Sequence, residues 1–183
     1  MKRKLFFLLL IVLITLNNKL VGQTQFSIGL LAGWDNGLSE NVNFNLHTSE
    51  SLFYSLSFKN SSYEIKKQID DYTYKIPYSL LSSDIMINFS FAKNPKSSFN
   101  FGLGIGGSVA IEKLNKGNKE LETGAELQYT GGLIYGGSGK LFFIYNLSEK
   151  LDLVLENKIQ YYLNSQVGQI NNFTGLGIRF YLN

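Results

Sequence analysis

The chain has 183 residues, no cysteine, one histidine, 18 glycines, two prolines, 14% aromatic residues and a formal net charge of +3. The missing cysteines exclude disulfides and an N-terminal lipoprotein anchor, and a single histidine excludes a multi-histidine metal site. Abundant Gly, Tyr and Phe with scarce Pro point to strands rather than helices.

Met1-Lys-Arg-Lys4 is basic, and Leu5 to Leu16 is apolar except for Thr15. This pattern reads as a secretory signal. It is short for a spanning helix, which needs about 20 apolar residues; an uncleaved anchor helix is the alternative. Asn17, Asn18 and Lys19 end the run, and cleavage is expected after Val21-Gly22. That divides the chain into a signal peptide, 1–22, and one mature domain, 23–183. Lys2, Arg3, Lys4 and Lys19 leave with the signal, so the mature balance falls from +3 to −1. The basic balance thus belongs to the leader, and no direct nucleic-acid binding is expected.

Eight extended segments follow in order. The first is Thr24 to Trp34, with Phe26, Ile28, Leu30, Ala32 and Trp34 on one face. The second is Asn41 to Thr48 and the third runs from Leu52 to about Ile65. The fourth, Tyr72 to Phe91, changes apolar parity near Leu80-Leu81, which predicts a β-bulge close to Pro77. The fifth is the cleanest: Phe99, Phe101, Leu103, Ile105, Val109 and Ile111 alternate with Asn100, Gly102, Gly104, Gly106, Ser108 and Ala110. The sixth, Thr130 to Leu147, is mixed, because Ile134, Phe142 and Ile144 oppose Leu141, Phe143 and Tyr145. The seventh, Leu151 to Leu163, opposes leucines to Asp152, Glu156, Lys158 and Gln160. The eighth is the terminal Gly175–Asn183, with Leu176, Ile178, Phe180 and Leu182 on one side. A period of two over each segment means strands with one apolar face.

Short turns alternate with mostly longer, polar connections, the largest being Lys113 to Tyr129. These features predict an all-β, eight-stranded antiparallel up-and-down transmembrane β-barrel in the outer membrane, with outer-membrane lipid around it and both termini periplasmic. A soluble barrel would put its large apolar side chains inside. Two observations favour the reverse. Gly102, Gly104 and Gly106 would weaken a water-facing strand but suit a narrow lumen. Aromatic residues also gather near strand ends: Trp34, Tyr63, Tyr72, Tyr74, Tyr145, Tyr161 and Tyr181, where they would form a membrane-interface girdle. Asp84, Lys140, Asp152, Glu156, Lys158 and Arg179 then fall in the lumen and need partners. Glu156 or Asp152 with Arg179 is a plausible cross-strand pair. The lumen reads as a salt-bridged plug or, alternatively, a narrow polar passage.

Chemical motifs are weak. Gly102-x-Gly104-x-x-Gly107 matches a dinucleotide fingerprint by letter, but alternation continues through it where a helix is required. His47 with Asp35 or Asp84 is a formal triad, yet His47 falls beside a short turn and reads as a rim residue. Asp70-Asp71 and Glu120, Glu122 and Glu126 could bind a divalent cation, but solvated loop carboxylates explain them. The stretch Lys116–Glu122 reads as charged and solvated, with room for a short helix or hairpin extension. No cofactor and no catalytic residue is expected.

Phe101–Gly107 followed by Ile111–Gly117, then Leu133–Leu141, Leu151–Glu156 and Gly175–Phe180, resemble in order and spacing the conjugative transposon TraO proteins of Bacteroidota. The resemblance runs from near Leu52 to the C-terminus. It implies a non-enzymatic outer-membrane barrel serving a DNA-transfer apparatus, with other apparatus proteins as partners. It supplies no catalytic residues. Barrel proteins usually end on an aromatic residue, whereas here Leu182-Asn183 follows Phe180-Tyr181. A general surface barrel acting through its loops, of the adhesion or stress-resistance type, is the alternative.

Overall fold

The structure, a computed structural model, describes residues 24–49, 51–69, 72–91, 98–121 and 124–182. The expected signal segment, Asp70-Asp71, Glu122 and Asn183 lie outside the described residues. Eight strands follow one another: β1 (Gln25–Trp34), β2 (Leu38–His47), β3 (Leu52–Ile69), β4 (Tyr72–Ser90), β5 (Phe99–Leu114), β6 (Gly131–Ser148), β7 (Leu151–Tyr162) and β8 (Ile170–Leu182). Each is antiparallel to its neighbours in sequence. β8 returns to β1, from Phe26↔Leu182 to Trp34↔Thr174, so the barrel closes. Closure pairs the backbone groups that an open sheet would leave at its edges.

One end carries both terminal strand ends and the short turns; we call it the turn end. The other, the loop end, carries the 35–37 turn, the β3–β4 tip, the 115–130 segment and the 163–169 loop.

Strand parity decides which side chains face out. Leu103, Ile105, Leu141, Leu153 and Leu176 are exposed on the outer wall, whereas Gly104 is buried and Glu156 keeps 1% of its surface. Phe26, Phe44, Phe58, Phe101 and Phe143 add outward rings. A barrel with its apolar residues outside and its ions inside inverts the usual soluble arrangement.

The bulge expected near Pro77 is absent. β4 pairs with β3 without a shift from Leu52↔Phe89 to Ile69↔Tyr72. The strand keeps its parity and the barrel interior changes character instead. Ile76, Tyr78 and Leu80 point inward at the loop end, while Leu81, Ile85, Ile87 and Phe89 point outward below them. The mixed pattern of β6 has the same cause, since Ile134, Phe142 and Ile144 are buried inside. Among the strand pairs, a register shift occurs between Asn146 and Ser148, at the turn end.

Candidate functional site

The interior has a polar waist, an apolar cap at the loop end and a second apolar cluster beside the waist, made of Leu31, Phe53, Phe142, Ile144, Val154 and Phe173. The waist is built by inward positions of β2, β3, β4, β6 and β7. Lys158 Nζ lies 2.8 Å from Asp84 Oδ2, and Gln160 donates to the other oxygen of Asp84 at 2.8 Å. Lys140 Nζ lies 3.3 Å from Glu156 Oε2, with Lys158 3.9 Å from Oε1. Asn41 and Asn43 of β2 donate to Glu156 from across the lumen, at 3.2 and 3.3 Å. Each carboxylate thus has a cation and at least one further donor, which is what a buried ion pair requires if it is not to be a net cost.

Asp152 and Arg179 are direct partners across β7 and β8, but their charged groups form no ion pair. Asp152 accepts from the Tyr181 hydroxyl at 2.7 Å and from Asn146 Nδ2 at 2.9 Å. The Arg179 guanidinium lies over the Phe53 ring, 5.1 Å from its centroid. Glu156 is held by Lys140 instead of Arg179 because of register: Lys140 lies next but one to Phe142, the partner of Glu156 on β6, whereas Arg179 lies level with Asp152, further along β8 from Gly175, the partner of Glu156 there.

A third carboxylate, Asp35, is also ion-paired inside the barrel. Lys59 Nζ lies 2.6 Å from Asp35 Oδ2, with both side chains fully buried. Ser61 Oγ donates to Asp35 Oδ2 at 2.9 Å, and Asn171 Nδ2 to Oδ1 at 2.6 Å; Lys59 also bonds Asn171. Lys59 follows Phe53, Ser55 and Ser57 on the inward parity of β3, so its place was readable. Asp35 lies in a turn, where parity says nothing.

The glycines of β5 make room. A Cβ at Gly102 would lie 2.3 Å from the Phe142 ring, one at Gly104 2.3 Å from Asn88 Oδ1, and one at Gly106 2.0 Å from the Ile85 carbonyl. Such approaches are inaccessible to a residue with a side chain.

The aromatic residues divide by parity. Trp34, Tyr145 and Tyr161 are exposed outward near strand ends. Tyr63 and Tyr74 instead pack on the apolar cap. Tyr181 shares the inward phase of Arg179 and bonds Asp152 inside the turn end. These three therefore leave the expected girdle, because they sit on the lumen parity of their strands. The Tyr72 side chain lies outside the described residues.

The cap closes the loop end. Ile76, Tyr78, Leu80, Ala110, Leu114, Ile134 and Tyr162 from the strands meet Leu121 and Leu127 from the β5–β6 connection. That connection holds a 3-10 turn, Asn115–Gly117, and a small hairpin bridged at Glu120↔Glu126. Its expected solvated character is therefore only partial, since Leu121 folds inward to cover the mouth. Glu112 fastens it, accepting from Tyr129 at 2.6 Å, Tyr78 at 3.2 Å and Ser165 at 2.9 Å. Burial and the bond to Glu112 push the Tyr129 hydroxyl up to about 12.

His47 bonds Ser27 Oγ through Nε2 at 3.0 Å and stacks on Phe53. Ser27 is buried, and Asp35 lies at the loop end, across the barrel from His47. The arrangement thus lacks a reachable nucleophile with an oriented base. Among the described residues no three metal-ligating side chains cluster. Gly102, Gly104 and Gly107 lie on a regular strand with no helix opening at them.

The fold recurs in outer-membrane barrels at low identity. Neisserial surface protein A is 13% identical, with 86% of this chain and 94% of that chain covered and a TM-score of 0.55. A major outer membrane protein from Thermus thermophilus is 10% identical, with 87% and 99% covered and a TM-score of 0.66. The N-terminal β-barrel domain of Pseudomonas aeruginosa OprF is 12% identical, with 87% and 100% covered and a TM-score of 0.58. No curated protein matches the sequence. The family described as conjugative transposon protein TraO matches residues 23–182, extending the resemblance through β1 and β2. With the whole described barrel inside that match, the chain belongs to the TraO family of conjugative transposon proteins.

Proposed function

We propose that this chain is an outer-membrane barrel with a plugged lumen, exported by a cleaved signal peptide, that serves the transfer apparatus of a conjugative element without catalysing a reaction. One observation carries the membrane reading: the barrel wall is apolar outside and its charges are shut inside. Such a surface is stable against hydrocarbon, where every backbone polar group must be paired within the protein. The transfer role rests on family membership. The plug rests on the waist, the cap and the apolar cluster beside the waist, which occupy the lumen with ion pairs, rings and aliphatic side chains. The contribution to transfer is then made by the loop-end surface or by contacts with other apparatus proteins, not by a pore.

Two measurements test this. Detergent extraction followed by a heat-modifiable gel shift reports a closed membrane barrel; recovery in a detergent-free wash would refute the membrane reading. Deletion of the gene, with complementation, should lower the transfer frequency of the element. Unchanged transfer would refute the conjugative role and leave the barrel standing.

A further inference from the structure

The barrel wall is uneven at the loop end. β3 continues to Ile69, but β2 pairs with it only as far as Ser39↔Ser61. β8 starts at Ile170, but β1 first meets it at Trp34↔Thr174. Between these taller strands, β1 and β2 turn back on each other at residues 35–37. The wall therefore drops to a notch. Asp35 holds the low turn down, because its partners Lys59, Ser61 and Asn171 come from the two flanking strands.

The notch exposes a strand edge. Ser90 N donates to Ser51 O at 2.8 Å, so odd-numbered residues of β3 turn their backbone groups toward β4. The unbroken register carries that phase to the tip. Glu64 and Lys66 consequently direct their N–H and C=O into the notch, where no strand among the described residues pairs with them. The opposite edge of the same ribbon is protected. Pro77 of β4 has no N–H to offer there, and the Asn115–Gly117 turn lies against β4. Proline and covering segments are how proteins blunt edges. The β3 edge has neither, and its only guard is the exposed charges of Glu64 and Lys66, which a segment of opposite charges can pair.

Beside it lies a cavity of about 400 Å³, lined among others by Tyr63, Tyr78, Tyr162, Val167 and Asn171. Along the edge Tyr63 and Ile65 turn inward and Glu64 and Lys66 outward, and all four line this cavity. A strand laid on the edge would therefore send alternate side chains into an aromatic pocket and past a pair of opposite charges.

We propose that this notch docks an extended peptide segment of a partner protein, which adds to β3 at Glu64 and Lys66 and seats alternate apolar side chains against Tyr63, Tyr78 and Tyr162. Backbone bonds supply the affinity and the pocket supplies the choice of sequence. The partner's outward residues are basic opposite Glu64 and acidic opposite Lys66, since opposite charges favour cross-strand pairs. This goes beyond the membrane reading and does not rest on it.

The test uses the full barrel in detergent, its folding scored separately by the gel shift. The probe is the peptide acetyl-Val-Glu-Val-Lys-Val-amide, which runs antiparallel to β3 with Glu opposite Lys66. Amide exchange at Glu64 and Lys66 should slow at least ~10-fold at roughly millimolar peptide, a concentration suited to a short ligand. Glu64→Pro removes the edge N–H, as Pro77 does on the facing strand, and should weaken binding about 10-fold, the effect of one lost backbone bond. Glu64→Ala keeps that N–H and should stay within about twofold, as exposed charge pairs contribute little. Should Glu64→Pro fail to fold, methylating the Glu and Lys backbone nitrogens of the peptide removes the same kind of bond from the other side. No protection by the peptide overturns the proposal, as does equal binding to Glu64→Pro or by the methylated peptide. Protection that grows with protein concentration alone would assign the edge to a second copy and overturn it equally.

Discussion

The waist and the cap solve the same problem, filling a narrow cylinder, in opposite ways. The waist uses charges fixed by strand parity: Asp84 with Lys158, and Glu156 with Lys140. The cap uses aliphatic and aromatic groups, several delivered by loops, such as Leu121 and Leu127. A buried charge tolerates no loss of its partner, whereas an apolar cluster loses contacts piecemeal. The waist should therefore fail globally and the cap locally.

The sharpest way to break this contrast is Glu156→Ala. It leaves Lys140 without its carboxylate and Lys158 without its second one, and should cost about 3–5 kcal/mol, as removal of one partner of a buried pair does. Urea titration of the gel-shifted form measures it; a loss under about 1 kcal/mol would show that water reaches the waist.

Next comes Gly102→Ala. The added methyl meets Phe142 and the Phe89 carbonyl, and overpacking of this kind costs about 1–3 kcal/mol. The same titration should show it, and Gly107→Ala is the control, since a Cβ there meets nothing within 4 Å.

Leu121→Ala should cost about 2 kcal/mol, the low end for a buried leucine, but inside the cap alone. Trypsin should cut near Lys119 about 10-fold faster while the urea midpoint moves little. A midpoint shift as large as that of Glu156→Ala would mean that cap and waist form one cooperative unit.

The smallest effect belongs to Tyr129. Its folded-state titration is raised to about 12, so its contribution is complete below the free tyrosine value of about 10 and is lost as pH climbs through about 12. Tyr129→Phe should remove about 1 kcal/mol of loop attachment, the worth of one hydrogen bond. A difference titration of tyrosinate absorbance between the two proteins isolates this group; a midpoint near 10 would place Tyr129 free in water.

Period-two alternation was enough to read the strands and their outward faces, because each side chain's environment follows from its parity. Parity also put Tyr181 with Arg179 on the inner side, although an interfacial aromatic is expected to face lipid. It misled at Pro77, where a change of lumen chemistry looked like a break in the strand. Asp35 was illegible for another reason. Its partners Lys59 and Asn171 lie on strands far apart in sequence, and only closure of the barrel brings them to a turn. The inward fold of Leu121 was hidden by its charged neighbours, Lys119 and Glu120, whose side chains remain in water.

The unbroken run of β4 has a consequence for assembly. Ile76 and Tyr78 ride at the tip of an early hairpin, yet what shelters them, Leu121, Leu127 and Tyr162, comes from later in the chain. A half-built sheet thus presents a sticky crest on the far side. Sealing it must wait until the β5–β6 connection and β7 have entered, so a sheet that stops short of β7 leaves that crest bare.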